Sequence, residues 1–120
     1  MLRTILKSKI HRARVTQAEL YYPGSITIDW RLMQAADILE GEKVEVLNLN
    51  TGQRIETYAI KGKENSGIIC LNGPAARGGY IGDELIILAY CLVDERQASE
   101  VKPKVVSVDE KNHLKKKTAS

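Results

Sequence analysis

Three sets of residues in this chain are able to do chemistry. The first is Tyr21-Tyr22-Pro23-Gly24-Ser25. Pro-Gly is a turn dipeptide, because proline presets φ and glycine accepts φ > 0. Pro23-Gly24-Ser25 is therefore either a turn between two strands or a place where the Gly24–Ser25 bond itself reacts, and only the rest of the chain decides between them. The second set is Arg3, Lys7, Lys9, Arg12 and Arg14, with His11 among them and no acid before Glu19. On a strand, Lys7, Lys9 and His11 share one face. Such a face is either a charged edge that resists aggregation or one side of a pocket for a small anion. The third set is Cys70 and Cys91. Both sit in apolar strand-like runs without C-x-x-C spacing, which reads as small buried hydrophobes rather than a metal or redox pair.

The elements that must position these groups are short. A chain of 120 residues is one domain, and 43% hydrophobic content is enough for a core. With no Phe and one Trp, that core must be aliphatic. No apolar run reaches membrane-spanning length and the N-terminus has no signal-peptide pattern, so a cytoplasmic protein is expected. The net charge is +3, but residues 111–120 hold four lysines and no acid. The remainder is near neutral with a slight acidic excess, and 111–120 reads as a basic, disordered tail.

The segment from Thr4 to Leu20 alternates as one long or two short strands. Ser25–Asp29 is another strand. Residues 30–39 carry apolar positions at helical spacing, with Asp29 as N-cap and Gly41 beyond the end. Asn50-Thr51-Gly52 between two alternating runs predicts a hairpin. Residues 66–71 form a compact apolar strand. The Gly/Pro-rich stretch 72–79 is a loop with one helical turn through Pro74–Arg77. Residues 83–93 are the most apolar strand and are expected to be the most buried. Residues 103–109 give a last strand. Six or seven strands with one or two short helices predict a small closed β-barrel, which brings residues distant in sequence around one site.

Taken in order, the stretches 6–16 (LKSKIHRARVT), 21–29 (YYPGSITID), 52–60 (GQRIETYAI), 70–79 (CLNGPAARGG) and 82–90 (GDELIILAY) resemble the pyruvoyl-dependent L-aspartate α-decarboxylase family. The resemblance spans residues 1–110 without gaps. It implies a mainly-β fold, a six-stranded double-psi β-barrel, and a homotetramer with sites between subunits. It also implies that the Gly24–Ser25 bond cleaves itself into chains 1–24 and 25–120. The reaction implied is decarboxylation of L-aspartate at C1 to β-alanine, which feeds pantothenate and coenzyme A biosynthesis.

Losing CO2 from an amino acid leaves a carbanion at Cα that needs an electron sink. The sequence shows no phosphate loop or lysine setting for pyridoxal phosphate, and no metal site. The resemblance supplies the sink as an N-terminal pyruvoyl group made from Ser25, which condenses with the substrate amine as a Schiff base. In its formation the Ser25 hydroxyl attacks the Gly24 carbonyl, the resulting ester undergoes β-elimination, and loss of ammonia leaves the ketone. Gly24 leaves room for a strained backbone and a tetrahedral intermediate. By the same resemblance Thr57 meets the developing oxyanion, and Tyr58 returns a proton to Cα. Arg54 makes a bidentate contact with one substrate carboxylate, and Lys9 is a point charge for the other or for the entrance. Asn72, Gly73, Pro74 and Ala75 form the substrate-contacting loop, with His11 and Tyr22 near the cleavage site. Thr57 and Tyr58 are adjacent, so a regular strand points them to opposite faces.

Two positions depart from the family pattern. Pro74 replaces a common alanine and removes an amide donor. Leu47 replaces a tryptophan found in some members and changes a pocket wall. The competing reading is a non-catalytic small barrel that binds RNA or another polyanion. The near-neutral body and the scarcity of aromatic residues for base stacking count against nucleic acid.

Overall fold

The structure is a computed structural model that describes residues 1–115. Its strands are β1 (Leu2–Arg14), β2 (Gln17–Glu19), β3 (Ser25–Asp29), β4 (Lys43–Asn48), β5 (Arg54–Gly62), β6 (Ile69–Asn72), β7 (Glu84–Asp94) and β8 (Lys104–Ser107). One short helix, α1 (Trp30–Ala35), follows β3, and 3-10 turns occupy Gly73–Gly78 and Ala98–Glu100.

The strands form one sheet in the order β2-β6-β3-β5-β4-β7-β1-β8. This corrects the expectation of six strands closed by pairing: there are eight, and no ladder joins β2 to β8 among the described residues. The chain itself links β2, at one end of the order, to β1, the strand next to the other end. β1 runs into β2 through Val15 and Thr16. Val15 N–H donates to Asp83 O at 2.9 Å, and Thr16 N–H donates to Ile69 O at 2.8 Å. Three neighbouring pairs, β1/β8, β2/β6 and β3/β5, are parallel. The others are antiparallel.

The core is aliphatic, as the absence of Phe requires. Ile10, Ile26, Ile28, Leu32, Met33, Ile69, Leu71, Leu85 and Ile87 are all buried. The most completely buried strand is β6, whose four residues are all enclosed, whereas β7 is buried only in its first half and alternates with solvent after Ala89. A long run of apolar residues therefore did not mark the most interior strand. β7 outruns the barrel and extends with the start of β1 as a two-stranded ribbon, pairing Leu2 with Asp94 and Thr4 with Leu92.

Asp29 caps α1 as expected, accepting from Arg31 N–H at 2.9 Å. Its carboxylate also accepts from Asn65 and Gly67 N–H, tying the helix start to the β5–β6 connection. The helix stops earlier than its apolar spacing suggests. Asp37 has φ 56, and Ile38 N–H returns to Met33 O, a Schellman-type stop. The Asn50-Thr51-Gly52 hairpin forms, with Gly52 at φ 76 and Asn48 Oδ1 accepting from Asn50 and Thr51 N–H.

Residues 111–115, expected as part of a disordered tail, pack onto the barrel. Asn112 is buried. Its side chain accepts from Arg14 N–H and donates to Arg14 O and Gly67 O, each within 2.8 Å. Residues 116–120 of that tail lie outside the described residues. Among the described residues no helix is long and apolar enough to cross a membrane.

Candidate active site

β3 and β6 pair antiparallel, setting Ser25 directly across from Asn72 and Thr27 across from Cys70. Residues two apart on a strand share a face, so these four side chains meet on one side of the ladder. Asn72 Nδ2 donates to Ser25 Oγ and to Thr27 Oγ1, both at 2.9 Å. The thiol of Cys70 donates to Asn72 Oδ1 at 3.2 Å. Ser25 is 1% exposed, so its hydroxyl is held by the protein rather than by solvent. Sequence reasoning passed over Thr27 and read Cys70 only as a small buried hydrophobe, which it is, at 3% exposed. Their alternation with Ser25 and Asn72 was visible, but the register that brings the two strands together was not.

Asn72 leads into Gly73, which has φ 61. A Cβ at Gly73 would come within 2.3 Å of Tyr22 O and 2.9 Å of Gly24 N. The 72–75 loop thus rests on the backbone just before Ser25, and only glycine fits there. Gly24 itself is not in the left-handed region, which corrects the expectation of a strained glycine at the scissile position. What glycine provides at 24 is space: a Cβ there would meet Pro74 Cδ at 3.4 Å.

An open cleft of ≈ 410 Å³ lies beside this junction, bounded by Gly24, Thr57, Tyr58, Pro74 and Ala75, with Ile55 and Glu56 along its wall. The geometry explains how adjacent Thr57 and Tyr58 both border it. β3 pairs with β5 only from Ile26↔Ala59 onward. At Thr57 and Tyr58, β5 is bonded to β4 on one side alone. The other edge is open, and the cleft is the gap left where β3 has not yet begun.

The remaining expected site residues do not reach this cleft within one chain. Arg54 is at the start of β5 and forms an ion pair with Glu45. Tyr90 Oη donates to the same Glu45 oxygen at 3.3 Å. Burial pushes the Tyr90 phenol up, and the Glu45 charge adds to it. Neither Glu45 nor Tyr90 was expected from sequence. Lys9 and His11 lie on β1, separated from β5 by β4 and β7. A bulge follows His11, where Arg12 takes φ 68 and pairs with Glu84. Tyr22 is 61% exposed and contributes its backbone oxygen, not its ring, to the contact with Gly73. Leu47 sits across from Arg54 and is not part of the cleft wall.

A family model described as aspartate decarboxylase matches residues 1–115. The chain belongs to the aspartate decarboxylase family. An aspartate 1-decarboxylase of Caldicellulosiruptor saccharolyticus is 58% identical over 116 residues, covering 97% of this chain and 91% of that protein. One from Cytophaga hutchinsonii is 56% identical over 110 residues, covering 92% and 96%. The fold is that of a double-psi β-barrel. The crystal structure of a computationally designed barrel of this type covers 74% of the chain with a TM-score of 0.50 at 16% identity. Gly24, which borders the cleft with Thr57 and Tyr58, directly precedes the buried Ser25.

Proposed function

We propose that this chain is an aspartate 1-decarboxylase, converting L-aspartate to β-alanine and CO2, and that it prepares itself by breaking the Gly24–Ser25 bond to leave a pyruvoyl group at residue 25. The observation that carries the reading is the buried Ser25 hydroxyl, accepting from Asn72 and directly following Gly24, which borders a cleft lined by Thr57 and Tyr58.

Ser25 fits the origin of such a group. Its oxygen is fixed next to a carbonyl that carries no side chain, and the 72–75 loop holds the preceding backbone in place. Attack of Ser25 Oγ on the Gly24 carbonyl carbon forms an ester and breaks the peptide C–N bond, the hydroxyl proton passing to the nitrogen. Elimination then removes the Cα proton of residue 25 and breaks the Cβ–Oγ bond, releasing residues 1–24 with a C-terminal carboxylate. Addition of water and loss of ammonia leave the ketone.

A pyruvoyl carbonyl at residue 25 supplies the electron sink that decarboxylation needs. The chain's own residues do the rest. Thr57 borders the cleft with a hydroxyl able to meet an oxyanion at Gly24. Tyr58 borders the same space with a phenolic O–H and supplies a proton to the substrate Cα. The backbone of Gly73 and Ala75 offers amide donors to a substrate carboxylate, while Pro74 has none. Arg54 and Lys9 are the cations for the two substrate carboxylates. Their distance from the cleft in one chain supports a homotetramer in which a neighbouring subunit completes each site. The same reading expects a cytoplasmic enzyme.

The test is an intact-mass spectrum of denatured, freshly purified protein. Two chains are expected, one ending at Gly24 and one starting at residue 25 with the mass of a pyruvoyl rather than a serine terminus. A single full-length mass that persists through prolonged warming, together with no β-alanine formed from aspartate, overturns the proposal.

A further inference from the structure

We infer that Cys70 is a positioning residue for self-cleavage: its thiol sets the orientation of the Asn72 side-chain amide and so keeps an N–H donor on the Ser25 oxygen that leaves Cβ in the elimination. The inference rests on the proposed cleavage of the Gly24–Ser25 bond.

An asparagine amide has two ends of similar shape and opposite hydrogen-bonding sense. At Asn72 one end faces two hydroxyls, Ser25 Oγ and Thr27 Oγ1, and the other faces a thiol. Hydroxyls accept or donate equally well, so Ser25 and Thr27 do not by themselves choose which end of Asn72 they meet. Cys70 does. Its S–H donates well enough to an amide oxygen, whereas sulfur is a poor acceptor from an amide N–H. The thiol has one other acceptor in reach, Leu71 O at 4.0 Å, far longer than the 3.2 Å contact with Asn72 Oδ1. Burial raises the Cys70 thiol above its ordinary value and the Glu19 charge adds to the effect, so the group stays protonated and remains a donor.

The choice matters for the reaction. With Nδ2 toward Ser25, the serine oxygen accepts and its own proton is not bound to Asn72. As Oγ forms its bond to the Gly24 carbon and the C–N bond breaks, that proton passes to the leaving nitrogen. With the amide reversed, Ser25 donates to Oδ1, and no N–H donor faces the oxygen as it gains negative charge on leaving Cβ in the elimination. Cys70 therefore acts through Asn72 and does not itself touch the reacting atoms.

The test is a time course of chain separation, read by intact mass, on full-length protein purified cold and then warmed. The parent is compared with Cys70→Ala, Cys70→Val and Cys70→Ser, and thermal unfolding verifies that each is folded. Loss of one neutral hydrogen bond predicts cleavage slower by about fivefold in the alanine and valine variants. The serine variant keeps a donor for Asn72 Oδ1 but its hydroxyl also accepts, so its rate should fall between the parent and the apolar variants. A packing role alone predicts the opposite order for valine and serine, since valine fills the apolar volume and serine does not. If either apolar variant cleaves as fast as the parent, or serine is slowed as much as they are, the inference fails while the cleavage reading stands. If the alanine variant does not fold, valine and serine decide it. A parent that never cleaves overturns both.

Discussion

Asn72 donates to Ser25 Oγ at 2.9 Å across a single rung of the β3–β6 ladder, although 47 residues separate them in the chain. The proposed nucleophile and its donor are thus held by backbone pairing of β3 and β6, not by a flexible loop.

Replacing Asn72 with alanine should therefore slow chain separation strongly. The amide faces an oxygen that gains negative charge during elimination, and hydrogen bonds to charged groups contribute about 1.5–3 kcal/mol. That corresponds to roughly a ten- to hundredfold slower appearance of the 25–120 chain. Intact mass against time at one temperature measures it. A rate within twofold of the parent shows that Asn72 is only a structural neighbour of Ser25.

Gly73→Ala should damage the fold as well as the site. The left-handed φ of 61 costs an alanine about 1–2 kcal/mol. Its Cβ would also sit 2.3 Å from Tyr22 O, a backbone atom that moves only if the segment before Ser25 moves. Denaturant unfolding should show a loss of more than ~2 kcal/mol. Chain separation should slow in parallel, because the loop displaced is the one resting on Gly24.

Much of this was legible beforehand. The Asp29 cap and the Asn50-Thr51-Gly52 hairpin announce themselves through local chemistry, and both form as expected. Ser25, Thr57 and Tyr58 stood out through their motifs and gather at or beside the cleft. What stayed hidden depended on register between distant strands. Thr27 and Cys70 look like ordinary strand residues until β3 and β6 are aligned. The lysines of 111–120 suggested a solvated tail, yet Asn112, through three hydrogen bonds, and Leu114, bridged to Val108, anchor that segment as far as it is described. Composition averages over such anchors.

Glu45→Gln should lower the KM for aspartate with little change in kcat. Glu45 Oε1 now accepts from Arg54, the guanidinium proposed to bind a substrate carboxylate. The Arg54 side chain is 58% exposed, so the pair is worth little, of order 1 kcal/mol or less. Releasing it predicts a KM reduced by up to about fivefold. Steady-state kinetics on the parent and variant decide it. A raised KM would mean that Glu45 orients Arg54 for the substrate rather than competing with it.

Acid should destabilise the fold through three carboxylates. The hydrogen bond from Asn48, then that from Tyr80 N–H, lower Asp83 below its ordinary 3.8. Arg12, through a side-chain hydrogen bond, lowers Glu84 below 4.5. Backbone bonds from His113 and Lys111 lower Asp109 below 3.8. A carboxylate with a depressed folded value stabilises fully above its unfolded value and loses that contribution as pH falls through the folded one. The unfolding midpoint should therefore be flat from about pH 7 to about pH 5 and fall below about pH 4. Asp109→Asn should make the acid fall shallower, because the site no longer titrates, and should lower the neutral-pH midpoint slightly. Thermal unfolding across that pH range checks both. A midpoint that rises on acidification would show that groups other than these three govern the response.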